Sequence, residues 1–306
     1  MSNTITTLLL AGTLSLVPVA AVLAQDEPGC KTLDIGAVNW TDVVATTAIA
    51  KALFEELGYT TKVTSASQQI IFAGIRDKRL DFYLGYWKPL MTGNIKPFVD
   101  AGQVRILPAP SLDDARATLA VPDYLYDKGL KTFADIARFK ADLGGKLYGI
   151  EPGSGINKMI QAMIDKNQFN LGDFQLVESS EAGMLSAVTR AVRRNDAVVF
   201  FGWAPHPMNL HYQMKYLSGS EDALGPNEGK ATVWTVTDPD LGKRCPNVDR
   251  LLNNLTFTVD DESRMMEPLL AHEDSAKVAK AWLKDHPADR KRWLQGVTRF
   301  DGSPAN

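Results

Sequence analysis

Two hydrophobic periods alternate along the chain from residue 33 onward. "LDIGAV" is a short apolar run of strand character, and "TDVVATTAIAKALFEELG" after it carries apolar positions at helical spacing, with Asp42 near its start and Gly58 at its end. "TTKVTS" predicts a second strand, "QQIIFAGIRDKR" a helix and "LDFYLG" a third strand. A second block repeats the alternation: a helix around "TFADIARF", the strand "KLYGI", a helix from Ser154 to Lys166, the strand "FQLVE", the helix "SEAGMLSAVTRAVRR" and the strand "AVVFFG". Strand-helix-strand alternation of this kind predicts parallel βαβ units and an α/β fold.

The segments "LPAPSLDDARATLAVPDY" and "SGSEDALGPNEGKATVWTV" read as irregular connections on either side of the second block. The last sixty residues are helical, in "NVDRLLNNLTF", "SRMMEPLLAHEDSAKVAKAWLKDH" and "ADRKRWLQG". Trp282 and Trp293 sit there at apolar helical spacing and are expected in the core. The simplest packing sends the chain from a first lobe (31–117) to a second (118–222) and back (223–306). The expected architecture is therefore two α/β lobes with a cleft between them.

Three tryptophans end apolar strands at comparable places: Trp40 after "LDIGAV", Trp87 after "LDFYLG" and Trp203 in "VVFFGWAPHPM". Ligands of open α/β sheets lie beyond the carboxyl ends of the strands, so these rings are expected at the cleft. A strand-end tryptophan on its own is as readily a lid on the core. Three together suggest a box of indole faces for a cation with little hydrogen-bonding ability, such as a quaternary ammonium. Asp42, two residues after Trp40, reads as a helix-start residue whose carboxylate can also serve a cationic or hydroxyl-bearing ligand.

Composition adds exclusions. The 306 residues are 45% hydrophobic and 23% charged, with a formal net charge of −3, which gives no basic face for nucleic acid. The opening "MSNTITTLLLAGTLSLVPVAAVLAQDEP" reads as a signal peptide (1–24) cleaved after Ala24, against the alternatives of a membrane anchor or a buried first helix. Its lack of an early Lys or Arg departs from the usual leader. Two cysteines, Cys30 and Cys245, are either one disulfide in an exported chain or two unrelated thiols. Neither a metal-ligand motif nor a nucleophile elbow is present, and no cofactor or metal is expected. "GPNEGKA" has too short a spacer for a phosphate loop and reads as a turn. "EPGSGINK" carries Lys158 where a dinucleotide loop has its third glycine, though its backbone N–H groups can meet a ligand acceptor.

The stretches "GAVNWTDVVATTA", "DFYLGYWKPLM", "GKLYGIEPGSGIN", "ESSEAGMLS", "FFGWAPHPMN" and "CPNVDRLLNNLTF" together resemble the choline-binding periplasmic proteins of bacterial ABC importers, within the glycine betaine and proline betaine binding group. The resemblance spans nearly the whole mature chain. It implies a two-lobed type II periplasmic binding protein, cage roles for Trp40, Trp87 and Trp203, a polar role for Asp42, and a Cys30–Cys245 disulfide. His206 falls inside one of these stretches and joins the expected ligand set. Two positions depart from the family pattern. Ala117 stands where a fourth aromatic, a tyrosine, completes the box, and Ser154 stands where an asparagine holds the ligand hydroxyl, with Asn157 nearby. Tyr124, Tyr126 and Trp234 are candidates for the missing wall.

The expected function is delivery of a quaternary ammonium compound, choline first, to an inner-membrane ABC permease by a monomeric periplasmic protein. Glycine betaine, carnitine and trimethylamine N-oxide are the alternatives. The rival class is a hydrolase of a choline ester, for which His206 and Ser154 are the best available pair.

Overall fold

The structure is a computed structural model that describes residues 25–305; the leader expected at 1–24 lies outside the described residues. The first block folds as β1 (Thr32–Ala37), α1 (Thr41–Glu56), β2 (Thr60–Ser65), α2 (Gln68–Arg76), β3 (Phe82–Lys88) and α3 (Thr92–Asp100). Next come β4 (Arg105–Ile106), β5 (Leu112–Pro122) and α4 (Asp123–Asp127). The second block is β6 (Lys146–Tyr148), α5 (Gly155–Asp165), β7 (Gln175–Val177), α6 (Glu181–Arg194), β8 (Phe200–Ala204) and β9 (Met214–Tyr216), and β10 (Lys230–Thr237) returns the chain.

The strands join in the order β2-β1-β3-β10-β5-β8-β6-β7, with β4 on β10 and β9 on β5. β1 is parallel to β2 and β3, and β6 is parallel to β7 and β8, as the βαβ pattern predicts. The middle of the sheet is antiparallel, because β10 pairs with β3 and β5, and β5 pairs with β8. These two central strands lie inside the segments expected to be irregular. β5 carries the exposed Asp113 and Asp114 directly after its first residue, Leu112, and before its main buried run, which hides its strand pattern. It pairs with β10 over 112–116 and with β8 over 116–120, so the expected lobe boundary at 117 falls within one strand. The "TFADIARF" segment is a 3-10 helix rather than an α-helix.

α1 is buried on more than one face, since it packs between the sheet and the helices Val259–Leu270 and Ser275–Asp285. This explains its nearly continuous apolar sequence. Trp282 and Trp293 are buried in the same core. Cys30 and Cys245 form a disulfide with Cα atoms 5.8 Å apart, which ties the first turn to the helix Pro246–Asn254. No helix among the described residues is long and apolar enough to cross a membrane.

Candidate functional site

Strand ends and helix starts from both lobes converge on one cavity. Trp40 is the residue before α1 and Asp42 is the second residue within it, Trp87 lies near the end of β3, and Leu90 and Met91 follow. The other side comes from Ile150 after β6, Ser154, Gly155 and Ile156 at the start of α5, and Phe201 and Trp203 of β8. The space between these walls, including the part open to solvent, is about 370 Å3, and the enclosed part is small, as suits a compact ligand held between closed walls. Trp87 and Trp203 retain only 4% of their surface, while Trp40 is half-buried at the rim. Trp203 stacks on Phe201 with ring centroids 5.0 Å apart, so the β8 side of the cavity is an aromatic pair.

Asp42 is the charged member of the wall and is 3% exposed. Its Oδ2 accepts the indole N–H of Trp87 at 3.0 Å. Its Oδ1 is buried and takes no hydrogen bond from any described protein group. Burial, and then the nearby Glu181 carboxylate, push the Asp42 carboxyl up to about 7. An orphan carboxylate oxygen inside an aromatic wall is costly to leave unpaired, and it suits a ligand that brings a positive charge or a hydroxyl donor. Above the rim, Trp40 donates its indole N–H to Glu151 at 3.0 and 3.1 Å, which orients the ring from the opposite lobe.

Of the eight expected ligand residues, Trp40, Asp42, Trp87, Trp203 and Ser154 meet at this cavity, and Asn157, His206 and Ala117 do not line it. Asn157 Oδ1 accepts from the Ile150 N–H, and its Nδ2 donates to the carbonyls of Ile150 and Glu151 and to Glu178. It clamps the loop that carries Ile150 instead of pointing at a ligand. Ser154 Oγ caps α5 by accepting from the Asn157 N–H. Ala117 is opposite Trp203 in the ladder and has no exposed surface. None of Tyr124, Tyr126 and Trp234 reaches the wall; Tyr124 donates to the Asp196 carbonyl, Lys131 lies over the Tyr126 ring, and Trp234 donates to Thr232. The aromatic that does reach it is Phe201, whose place two residues before Trp203 on one strand is a signal the sequence already carried.

His206 is buried with both ring nitrogens engaged, Nδ1 by the Met208 N–H and Nε2 by Glu181. Neither nitrogen is directed at Ser154, so the pair considered for ester hydrolysis is not assembled. The "GPNEGK" segment is a turn with positive φ at Gly225, Asn227, Glu228 and Gly229, feeding β10.

The family model described as the substrate binding domain of ABC-type glycine betaine transport systems matches residues 31–285. Among solved structures, an ABC-transporter choline binding protein in complex with choline superimposes with a TM-score of 0.87 at 43% identity, covering 90% of this chain and 95% of that one. An ABC-transporter choline binding protein in an unliganded semi-closed conformation gives 0.82, also at 43% identity, over 90% of this chain and 96% of that one. A curated relative, the glycine betaine/carnitine transport binding protein GbuC of Listeria monocytogenes, is 29% identical over 53% of this chain and 55% of its own length.

Proposed function

This chain belongs to the family of substrate-binding domains of ABC-type glycine betaine transport systems, and from that premise we propose that its ligand is choline, held by Trp40, Trp87 and Trp203 with Asp42 at the polar end. The family is one of two-lobed, extracytoplasmic solute-binding proteins that serve a membrane permease. The observation that carries the choice of ligand is the Oδ1 atom of Asp42, buried in the cavity wall without a protein donor. A trimethylammonium group against indole faces gains about 0.5 to 2 kcal/mol per contact, and a hydroxyl can donate to that oxygen. Glycine betaine and carnitine bring a carboxylate of their own. Asp42, Glu151 and Glu181 oppose it, which places them behind choline.

The same reading takes the protein as a periplasmic monomer, released from its leader after Ala24, whose lobes are 31–117 with 223–306 and 118–222. A titration of intrinsic tryptophan fluorescence, backed by calorimetry, with choline, glycine betaine, carnitine and trimethylamine N-oxide tests it. Choline is expected to saturate the signal at the lowest concentration. Tighter binding of glycine betaine would reject the choice of ligand, and no binding of any of the four would reject the cage.

A further inference from the structure

Several contacts cross between the lobes beside the cavity. At the rim, Lys158 donates to Asn94 at 2.7 Å, and Gln68 and Gln69 both donate to the Gly153 carbonyl at 3.2 and 2.7 Å. The first of these is exposed, where such bonds contribute little. A deeper set centres on Glu181, the first residue of α6. Its Oε2 accepts the backbone N–H of Thr41 at 2.9 Å, and its Oε1 accepts the Thr41 hydroxyl at 2.5 Å. Oε1 also lies 3.0 Å from His206 Nε2. Because His206 Nδ1 accepts the Met208 N–H at 2.9 Å, the proton of the neutral ring is on Nε2 and is donated to Glu181.

Glu181 therefore joins two parts of the wall without touching the cavity. One is the first turn of α1, flanked by Trp40 and carrying Asp42; the other is the loop that follows Trp203. The Thr41 N–H is one of the orphan donors of a helix start, where a carboxylate is also favoured by the helix dipole. Glu181 and His206 are both buried, so these charge-assisted bonds are worth more than the rim contacts.

We propose that Glu181 is a positioning residue that latches the lobes together, holding the Trp40–Asp42 wall against the Trp203 wall and setting how long a cationic ligand stays bound. Closing the lobes also brings the Glu181 carboxylate within electrostatic reach of Asp42. A cation in the cavity offsets that repulsion, and an anionic group adds to it, so the latch favours a cationic occupant. This inference rests on the proposed binding of choline.

Stopped-flow tryptophan fluorescence with choline tests it on the wild type, Glu181→Gln, Thr41→Val and the double variant, with unliganded melting temperature as a check on folding. Glu181→Gln keeps the shape and removes the charge. It is expected to speed dissociation roughly tenfold to a hundredfold with association changed by less than about twofold, and Thr41→Val to speed it several-fold. The double variant should be little worse than Glu181→Gln alone, because the hydroxyl bond that Thr41→Val removes is one of those that Glu181→Gln weakens. Should Glu181→Gln fail to fold, Thr41→Val alone decides, and an unchanged release rate overturns the latch. Losses that multiply in the double variant, or release unchanged in Glu181→Gln, overturn it as well. A wild type that binds choline while the variants match it rejects the latch only; a wild type that binds no quaternary ammonium rejects the proposed ligand and the latch with it.

Discussion

The indole N–H of Trp87 donates to Oδ2 of Asp42 at 3.0 Å, and the other carboxylate oxygen is left without a protein donor. One side chain thus has two tasks. Its ring walls the cavity, and its N–H fixes the carboxylate that shares the wall. The geometry couples the apolar and the charged parts of the site, so changing either perturbs the other.

That coupling makes choline binding pH-dependent. Asp42 titrates at about 7, chiefly through burial and then through Glu181, and the cationic ligand needs it ionised. Affinity is expected to fall below about pH 7, by up to tenfold per pH unit, and to level off above it. The fold responds with the opposite sign. The folded value lies above the ordinary 3.8, so between about pH 4 and 7 the folded protein holds a proton that the unfolded chain has lost, and stability falls as pH rises through that window. Glu262, also buried and raised well above its ordinary value, adds to this fall. Asp42→Asn should melt higher than wild type at pH 8, bind choline more weakly, and lose most of the pH dependence of affinity. Calorimetry from pH 5.5 to 8.5 together with melting curves checks all three, and an unchanged pH profile in Asp42→Asn would assign the titration elsewhere.

Trp87→Phe separates the two tasks. A smaller aromatic face stays and the N–H goes, removing a bond that lowers the Asp42 carboxyl. The midpoint of the affinity–pH profile should move upward and choline should bind more weakly at pH 7 than at pH 8.5. Trp87→Ala is a poorer probe because truncating a buried tryptophan costs about 3 to 5 kcal/mol of stability. Trp40→Ala, at the half-buried rim, is expected to weaken choline roughly twofold to thirtyfold with little change in melting temperature.

The outer strands and helices were legible because apolar residues dominate them: α1 is mostly apolar from Val43 to Phe54, and β1 and β3 are short apolar runs between breakers. The central strands were not. β5 carries two exposed acids directly after its first residue, Leu112, and β10, despite its alternating "KATVWTVT", follows a glycine-rich turn that dominated its neighbourhood. At the site, the tryptophans announced themselves through residue type at strand ends. Glu181 did not, since an acid in the first turn of a helix has an ordinary local explanation, and its partners Thr41 and His206 are 140 and 25 positions away. Asn157 follows the wall residue Ile156 on α5, but its amide turns back to the Ile150 and Glu151 carbonyls, a contact that the spacing along the chain did not reveal.

Gly155 lines the cavity where the two lobes meet, and it offers a test of lobe closure. A Cβ at this position would lie 2.0 Å from the Leu90 carbonyl oxygen, across the lobe interface. The neighbour is backbone and cannot step aside cheaply. Gly155→Ala should fold, since alanine suits the start of α5, yet hold the lobes apart. The expected result is a choline affinity reduced more than tenfold and a larger radius of gyration by X-ray scattering at saturating choline. Compaction equal to wild type would show that the interface accommodates the methyl group.

Ala117 is the position where the sequence suggested a missing aromatic wall, and hence a pocket roomy enough for a longer ligand. The structure gives no opening there. Ala117 is paired with Trp203, its surface is fully covered, and the cavity wall on this side is made by Trp203 stacked on Phe201. Facing residues of an antiparallel pair point to the same side of the sheet, so a tyrosine at 117 would be driven against the Trp203 ring. Overpacking of this kind costs about 1 to 3 kcal/mol and displaces neighbours. Ala117→Tyr is therefore expected to melt lower than wild type and to weaken choline and carnitine together, because a displaced Trp203 is lost to both. Calorimetry with the two ligands decides between the readings. A variant that tightens choline while weakening carnitine would mean that the ring finds space beside Trp203, and that the alanine does leave room for a bulkier cation.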